Sequence, residues 1–356
     1  MSETLVVQSH RGPYTALFDD QALARLNAAV PSRVHFIIDA KVAELYPSDL
    51  DQVLASPSVL LIEATETNKT LDKFTAYVDH LISRGVRRGQ ALVAIGGGIM
   101  QDIACFLAAT LLRGMPWHFY PTTLLAQADS CIGSKSSINV GKTKNILGTF
   151  TPPEKIHITT SVLATLEERE FRSGLGEMLK VHAIDGPASF DRIAADYPRL
   201  FTDQELLRRY IYGSLAIKKT IIEADEFDQG IRNIMNYGHS FGHALESATD
   251  FFIPHGIAVT MGMDMANYTA WRLRLTAEGH YRRMHPVLLT NFVAFGHTEI
   301  PLEAFFDAIA RDKKNTEAQL RLILPDAQGC ITVGLYNNDT TFKKICADYF
   351  RTEVHP

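Results

Sequence analysis

Apolar and polar positions follow two different patterns along the chain. In the first 160 residues, short apolar runs typical of buried strands are separated by stretches with helical periodicity. The strand-like runs cover residues 33–39, 58–64, 91–98 and 117–123, and helical patterns follow the first three. Buried strands that alternate with helices predict βαβ units and a parallel sheet.

Beyond residue 160 the pattern becomes mostly helical. Stretches with the 3.6-residue period begin near residues 160, 205, 234 and 257, and strand-like runs become rare. We therefore predict an α/β domain over residues 1–160 and a mostly helical domain over residues 161–356. Ligands of parallel sheets bind at the carboxyl ends of the strands, so we expect the site in a cleft between the domains.

Composition narrows the function classes. Hydrophobic residues make up 46% of the 356 residues, charged residues make up 21%, and the formal net charge is −5. This balance excludes a disordered chain and offers no basic surface for nucleic acid. The four cysteines form no CxxC pair, which is typical of a reducing compartment. Without a signal-peptide pattern or a long apolar run, we expect a cytoplasmic protein with no membrane partner.

A glycine-rich turn follows the third strand-like run. Gly96, Gly97 and Gly98 end that run, and a helical pattern begins directly after them. Glycine lets the backbone approach a phosphate, and the free N–H groups at a helix start attract an anion. Because the turn lacks the GxGxxG fingerprint, it is equally consistent with a tight turn that binds nothing.

A polar segment covers residues 129–145. It concentrates lysine and amide side chains, namely Lys135, Asn139, Lys142, Lys144 and Asn145. A solvated surface loop is the ordinary explanation of such a cluster. Apolar runs at 126–132 and 146–150 flank the segment, however, and we expect them to hold it against a core. Lysines and amides held in this way suit a phosphorylated, polyhydroxylated ligand.

A third polar pattern covers residues 232–246, with spacings of four, three, four and three. Its members are Arg232, Asn236, His239, His243 and Glu246. On one helix these positions form a single polar stripe, and the remaining positions are largely apolar. Two histidines at this spacing, with His255 in a following PHG turn, favour a divalent metal over a buried structural histidine.

A metal of this kind also needs a carboxylate ligand. Glu177 in the stretch SGLGEMLKVHAI is the candidate, and Lys180 lies one turn further along the same helix face. The HxxxH spacing lacks the glutamate of HExxH, so a zinc protease is disfavoured. From the residues alone, His239, His243 and His255 all remain candidate ligands.

Five motifs together carry a resemblance to a known family. They are GGGIMQDIACFLAATLLRG, PTTLLAQADSCIGSKSSINVGKTKN, SGLGEMLKVHAI, IKKTIIEADEFDQGIRNIMNYGHSFGHALE and PHGIAVTMGMDMA. With them the chain resembles 3-dehydroquinate synthase and its relatives, the sugar phosphate cyclases, over about residues 60–325. The stretch from Glu66 to Lys69 also resembles the family's GExxK nucleotide loop, with Thr65 in place of its glycine.

The resemblance implies a Rossmann-like N-terminal domain, a helical C-terminal domain, and two cofactors: NAD and a divalent metal, zinc or cobalt. The implied metal ligands are Glu177, His239 and His255, which leaves His243 to the substrate phosphate. The implied NAD contacts lie around the glycine turn and the nucleotide loop: Asp39, Glu66, Lys69, Gly96, Gly97, Gly98, Asp102, Thr122 and Thr123.

The resemblance also implies which residues handle a phosphorylated substrate. The catalytic group comprises Asp129, Lys135, Lys180, Lys218, Arg232, Asn236 and His243. Further substrate contacts fall on Lys144, Asn145, and Lys313 and Lys314 of a late DKK motif. Arg113 matches an arginine that reaches the phosphate across a two-fold interface, so we expect a homodimer.

In this family the substrate is a heptulosonate 7-phosphate, a seven-carbon sugar acid phosphate. The implied activity is that of a carbon–oxygen lyase, in which phosphate leaves and a carbocycle forms, as in aromatic amino acid biosynthesis. NAD oxidises a metal-bound hydroxyl and later returns the hydride, so the enzyme recycles its NADH.

Several positions depart from the family pattern, namely Cys105, Ser134, Val181, His182, Tyr237 and Ser240. Arg232 and Asn236 are retained, and they favour a heptulosonate over the substrates of the 2-deoxy-scyllo-inosose synthases. The departures leave open a cyclase of secondary metabolism that acts on sedoheptulose 7-phosphate, glucose 6-phosphate or another sugar phosphate.

Two rival hypotheses keep the fold and change the activity. A metal- and NAD-dependent polyol dehydrogenase of the glycerol dehydrogenase type would release NADH, and the lysine-rich segment 129–145 argues against it. A non-catalytic dinucleotide-binding regulator would need a damaged metal site, whereas Glu177, His239 and His255 are all present.

Overall fold

The structure is a computed structural model that describes residues 3–141, 143–311, 315 and 318–354. The chain divides into two compact units. Unit 1 comprises Met1–Leu166 and Lys218–Phe227, and unit 2 comprises Glu167–Ile217 and Asp228–Pro356. Among the described residues, none of the helices combines the length and the apolar character needed to span a membrane.

Unit 1 is built on a seven-stranded sheet with helices between its strands. The strands of the unit are β1 (Glu3–Val7), β2 (Tyr14–Phe18), β3 (Val34–Asp39), β4 (Val59–Ile62), β5 (Ala91–Gly96), β6 (Trp117–Pro121), β7 (Ile138–Val140), β8 (Thr143–Leu147) and β9 (Lys155–Ile158). Of these, β7 and β8 form a separate two-stranded ribbon, and the others form the sheet. Its helices are α1 (Ala22–Ala28), α2 (Ala40–Leu45), α3 (Asp51–Leu54), α4 (Leu71–Ser83) and α5 (Gly98–Thr110).

The strand order across the sheet is β1-β2-β9-β6-β5-β3-β4. β1 and β2 pair antiparallel, and the other neighbours pair parallel. β5 is buried along almost its whole length, as expected for a parallel strand that is covered on both faces. The predicted parallel α/β architecture is confirmed, and the antiparallel β1–β2 hairpin is an addition that the hydrophobic pattern did not predict.

The predicted domain boundary after residue 160 differs from the division in the structure. Residues 161–166 stay with unit 1, where the hydroxyl of Tyr46 donates to the carbonyl oxygen of Val162 at 3.0 Å. The segment Lys218–Phe227 also belongs to unit 1, and within it Lys218 forms an ion pair with Asp129. The hydrophobic pattern along the sequence could not reveal that a segment after residue 217 belongs to the first unit again.

Unit 2 is mostly helical, as predicted, with one added hairpin. Its elements are α6 (Glu168–Asp185), α7 (Pro187–Asp196), α8 (Gln204–Ala224, whose last residues from Lys218 belong to unit 1), α9 (His239–Ala248), α10 (His255–Arg272), α11 (Glu278–Phe292), α12 (Leu302–Ala310), β10 (Gln319–Pro325), β11 (Ile331–Asn337) and α13 (Thr340–Thr352). α10 is buried from Gly256 to Ala270 and forms the centre of the unit.

Glycines allow α6 to touch α10 backbone to backbone. A Cβ atom on Gly176 would lie 2.1 Å from the carbonyl oxygen of Gly256, and one on Gly256 would lie 1.9 Å from that of Ser173. The main-chain N–H of Gly256 donates to Oγ of Ser173 at 2.9 Å across the same contact. The two helices therefore pack at a distance that only glycine permits at these positions.

Replacing Gly176 with alanine should force α6 and α10 apart. Because the added Cβ meets backbone rather than a flexible side chain, we expect a loss of about 1–3 kcal/mol in the free energy of unfolding, measured by denaturant titration. Gly279→Ala on α11 is the matched control, since its Cβ would enter open space and should leave stability unchanged or slightly higher. Equal stability of the two variants would contradict the close helix contact.

Candidate functional site

The carboxyl edge of the sheet in unit 1 gathers three predicted NAD-contacting residues. Gly96 ends β5 and pairs with Pro121 at the end of β6, and the N–H of Thr122 donates to the carbonyl oxygen of Gly96 at 2.9 Å. A Cβ on Gly96 would lie 3.2 Å from Cβ of Asp39, the last residue of β3. Asp39, Gly96 and Thr122 therefore meet where parallel sheets bind ligands.

The glycine turn leads directly into a helix. Gly97 is the N-cap of α5 and Gly98 its first residue. A Cβ on Gly97 would lie 2.8 Å from Cγ2 of Thr123, whereas one on Gly98 would find its nearest neighbour, Oγ of Ser130, at 3.8 Å. Gly97 thus satisfies a packing constraint, while Gly98 leaves space beside the N–H groups of the helix start, where an anion is stabilised.

A polar network, here called the Lys69 cluster, comprises Lys69, Asp102, Ser137 and Asn145. Nζ of Lys69 lies 3.0 Å from Oδ2 of Asp102 and 3.1 Å from Oδ1 of Asn145. Ser137 donates to both carboxylate oxygens of Asp102, from its N–H and its hydroxyl, at 2.9 Å each. Burial raises the pKa of Asp102, and the ammonium of Lys69 opposes that shift. The nucleotide loop and the polar segment thus meet on α5.

Glu66 joins this network from the nucleotide loop. Its carboxylate accepts a hydrogen bond from Nδ2 of Asn139 at 2.8 Å, and Oδ1 of Asn139 accepts from the N–H of Asn145 at 2.9 Å. Sequence reasoning counted Asn139 among the amides that suit a phosphorylated ligand, without this contact, and gave no role to Ser137. The signal that could have found Ser137 is the concentration of hydroxyls beside those amides in the polar segment.

The polar segment 129–145 is only partly the loop that the sequence predicts. Its end forms β8, in which Ile146 and Leu147 are 42% and 37% exposed. The expectation that the apolar run 146–150 holds the segment against a core is therefore wrong for these two residues, since a two-stranded ribbon covers little apolar surface. Lys135 is exposed, Lys144 is half-buried, and Lys142 lies outside the described residues.

Asp129 and Lys218 form a buried pair in unit 1. Asp129 lies in the π-helical turn Ala126–Ser130. Nζ of Lys218 lies 2.6 Å from Oδ1 of Asp129 and donates to its main-chain oxygen, also at 2.6 Å. Two residues of the predicted catalytic group, 89 positions apart in the sequence, are thus in direct contact.

Arg113 lies beyond the helix that follows the glycine turn. α5 ends at Thr110, and Arg113 is an exposed residue of the 3-10 turn Leu111–Arg113. Leu112 and Arg113 have φ angles of 54° and 69°, a left-handed conformation that is uncommon for residues other than glycine. Residues held in such conformations cluster at active sites and ligand-binding positions.

In unit 2 the structure brings Glu177, His239, His243 and His255 into one group, here called the histidine cluster. The ligand atoms of the three histidines all lie within 4.8 Å of one another. Oε1 of Glu177 lies 3.3 Å from Nε2 of His255 and 3.7 Å from Nε2 of His239. The residues come from three helices, α6, α9 and α10, and His255 is the first residue of α10 rather than part of a loose turn.

Electrostatics in the histidine cluster suits a cation. Burial alone would raise the pKa of Glu177, but the ammonium of Lys180, 2.6 Å from Oε2, and the neighbouring imidazoles hold it well below its usual value. Burial lowers the pKa of His239, which keeps that imidazole neutral. Although burial opposes it, contact with Glu177 and Glu246 raises the pKa of His255 to about 10.

The donor set fits a divalent metal. Glu177 supplies an anionic oxygen, and it is only 2% exposed, so its charge is shielded from water. Zinc and cobalt take imidazole nitrogens and carboxylate oxygens at about 2.0–2.2 Å. Donor atoms that lie 3.3–3.7 Å from the carboxylate can therefore share one ion without rearrangement of the helices.

The stripe predicted over residues 232–246 is divided in the structure. Residues Ile231–Asn236 form a 3-10 helix, and α9 begins at His239. Gly238, at φ 79°, separates them, and a Cβ there would lie 2.6 Å from the carbonyl oxygen of Val259. The expectation of one continuous helix is therefore wrong, because this contact needs a left-handed glycine; His239, His243 and Glu246 still share a face of α9.

Arg232 and Asn236 lie in the 3-10 part of this segment. Arg232 is buried, and Nδ2 of Asn236 donates to the carbonyl oxygen of Asn233 at 3.2 Å. Lys313 and Lys314, predicted as substrate contacts, lie outside the described residues.

Comparison with known proteins identifies the family. Residues 59–173 match the 3-dehydroquinate synthase N-terminal family, and residues 174–315 match the 3-dehydroquinate synthase C-terminal family. A 3-dehydroquinate synthase of Streptococcus pyogenes serotype M18 (strain MGAS8232) is 34% identical over 351 residues, which cover 96% of this chain and 98% of that protein.

Solved structures agree with this assignment. The 2-epi-5-epi-valiolone synthase ValA from Streptomyces hygroscopicus subsp. jinggangensis 5008, with NAD+ and Zn2+ bound, is 26% identical with a TM-score of 0.84, covering 95% of this chain and 96% of that one. A 2-deoxy-scyllo-inosose synthase complexed with carbaglucose-6-phosphate, NAD+ and Co2+ shares the fold at 23% identity and a TM-score of 0.84, covering 98% of this chain and 100% of that one. The resemblance found in the sequence is confirmed: the chain belongs to the 3-dehydroquinate synthase family and is a carbon–oxygen lyase of the sugar phosphate cyclase type.

Proposed function

We propose that this enzyme converts a heptulosonate 7-phosphate to a carbocycle with loss of phosphate, using NAD and a divalent metal. The observation that carries the proposal is the histidine cluster, in which Glu177, His239 and His255 offer one carboxylate and two imidazoles at ligand spacing. The relatives named 3-dehydroquinate synthase, and the cyclases solved with NAD+ and Zn2+ or Co2+, support the same cofactors here.

Once bound, the metal would polarise a substrate hydroxyl as a Lewis acid, and NAD would accept and return a hydride. Glu177, His239 and His255 would hold the metal. Lys180 keeps Glu177 ionised through their 2.6 Å contact, and its ammonium stands beside the cluster as a donor to a developing negative charge. The family resemblance, rather than the geometry, assigns His243 to the substrate phosphate; its ring lies 5.3 Å from that of His239.

In unit 1 we propose that the glycine turn, with Lys69 and Asp102 of the Lys69 cluster, holds NAD. The space at Gly98 and the N–H groups at the start of α5 suit a pyrophosphate. The same edge of the sheet or the same network contains the proposed NAD contacts Asp39, Glu66, Asp102, Thr122 and Thr123. Their carboxylates and hydroxyls offer hydrogen-bond partners for the ribose and the amide of NAD. Asp129, Lys135, Lys218, Lys144 and Asn145 would bind and orient the substrate in the same unit.

The choice of a heptulosonate rests on Arg232 and Asn236. A buried guanidinium can bind a carboxylate with two parallel hydrogen bonds, and a sugar phosphate without the acid group offers no such carboxylate. Lys313 and Lys314 stay predicted substrate contacts. The cleft between the two domains likewise stays a prediction, as does the two-fold dimer in which the exposed Arg113 would reach a neighbour's substrate.

The proposed function is tested by measuring phosphate release in the presence of NAD and Zn2+ or Co2+. The three substrates are 3-deoxy-D-arabino-heptulosonate 7-phosphate, sedoheptulose 7-phosphate and glucose 6-phosphate. We expect the highest kcat/KM with the heptulosonate and no lasting rise in NADH absorbance. Preference for another sugar phosphate would reassign the substrate, and steady NADH accumulation with simple polyols would instead support a polyol dehydrogenase.

The ligand assignment within the histidine cluster makes a second prediction. His239→Ala should lose the bound metal, because it removes an imidazole that faces Glu177. His243→Ala should retain the metal and instead raise KM for the phosphorylated substrate about tenfold or more, the cost of one charge-assisted hydrogen bond. Metal content is measured by atomic emission after dialysis. Loss of metal from His243→Ala would favour a site made of the three histidines.

The glycine turn makes a third prediction. Gly98→Ala should fold normally, because its Cβ meets only Oγ of Ser130 at 3.8 Å, yet it should narrow the space proposed for the pyrophosphate. We expect NAD affinity, measured by calorimetry, to fall about tenfold, while unfolding by denaturant is unchanged. A correctly folded variant with unaltered NAD affinity would show that the turn is only structural.

A further inference from the structure

We infer that Glu246 is a positioning residue for His255: it fixes the imidazole so that Nε2 faces Glu177 and the metal. The inference rests on the proposed function, in which His255 is a metal ligand. Sequence reasoning placed Glu246 on the polar stripe but gave it no role. The structure adds the contact that defines one.

The two nitrogens of His255 face two different carboxylates. Nε2 lies 3.3 Å from Oε1 of Glu177, and Nδ1 lies 3.2 Å from Oε2 of Glu246. A carboxylate only accepts hydrogen bonds, so the contact with Glu246 requires a proton on Nδ1. In the neutral ring the lone pair is then on Nε2, which is the atom that faces Glu177.

Glu246 is fixed by the helix that carries two of the histidines. His239, His243 and Glu246 follow at spacings of four and three along α9, so all three face the same side. The Glu246 side chain is 13% exposed and that of His255 is 37% exposed. The bond is therefore partly shielded from water, and the more exposed ring depends on its less exposed partner for its orientation.

The connection between α9 and α10 is strained in a way that serves this contact. Asp250 and Phe251 have φ angles of 48° and 61°, and the left-handed region is a rare conformation for an aromatic residue. The N–H of Phe251 donates to the carbonyl oxygen of Glu246 at 2.8 Å. This tight turn returns the chain so that His255, nine residues after Glu246, meets its side chain.

Without Glu246 the imidazole would lose the group that selects one tautomer and one ring orientation. A ring that can flip presents Nδ1 or Nε2 to the metal, and part of the population then carries a proton on the nitrogen that should coordinate. Carboxylates that hold the second nitrogen of a metal-bound histidine contribute about 10–100-fold to metal affinity in general. We assign that effect to Glu246.

The experiment measures Co2+ binding to metal-stripped enzyme, by competition with a chromogenic chelator and by the visible absorption of the bound ion. Glu246→Ala removes the acceptor, Glu246→Leu removes it while filling the volume, and Glu246→Gln retains an acceptor oxygen. Glu278→Ala is the matched control, because Glu278 pairs with Arg282 on α11. His255→Ala tests the ligand assignment separately.

We expect Glu246→Ala and Glu246→Leu to bind Co2+ about 10–100-fold more weakly and with an altered absorption spectrum. Glu246→Gln should recover most of the affinity, and Glu278→Ala should match the parent enzyme. Thermal melts of the metal-free proteins should coincide, because a partly exposed histidine tolerates the loss of its partner.

Parent-like affinity and spectrum in Glu246→Ala and Glu246→Leu, together with loss of metal from His255→Ala, would overturn the inference and leave the proposed metal site intact. A glutamine variant no better than the alanine variant would also overturn it, since the acceptor would then not be the cause. Failure of both acceptor-free variants to fold would assign Glu246 to the fold instead. Retention of metal by His255→Ala would refute the ligand assignment itself.

Discussion

The backbone contact between α6 and α10 is the constraint on which the candidate metal site depends. Gly176 precedes Glu177, and Gly256 follows His255, so the two glycines in contact are the chain neighbours of the two residues that face each other. A helix pair separated by side chains would stand farther apart. The absence of two Cβ atoms thus determines the distance between a carboxylate on one helix and an imidazole on another.

Three buried or nearly buried lysine–carboxylate pairs accompany the candidate site residues. They are Lys69 with Asp102 at 3.0 Å, Lys180 with Glu177 at 2.6 Å, and Lys218 with Asp129 at 2.6 Å. Taking two charges out of water can cost more than such a pair returns in stability. Their concentration at these positions supports the proposal that each pair presents a fixed ammonium or carboxylate to a ligand.

Much of this arrangement could be predicted from the sequence, since it depends on local patterns. The strands β3 to β6 appear as apolar runs, and His239, His243 and Glu246 appear at helical spacing. What the sequence did not reveal depends on contacts distant along the chain. Gly238 breaks the predicted stripe because Val259 approaches it, and Glu246 acquires its partner only through the strained turn before His255.

The discontinuity of unit 1 has a consequence for how the chain folds during synthesis. The sheet strands are complete by residue 158, but Lys218, which neutralises the carboxylate of Asp129, and Glu226, which accepts hydrogen bonds from Ser9 and Ser134, follow about sixty residues later. A nascent unit 1 therefore leaves the ribosome without the ammonium of Lys218 beside Asp129 and without the contacts of Glu226 to Ser9 and Ser134. Because domains tend to fold as they emerge, closure of this unit must wait until the first three helices of unit 2 have been made.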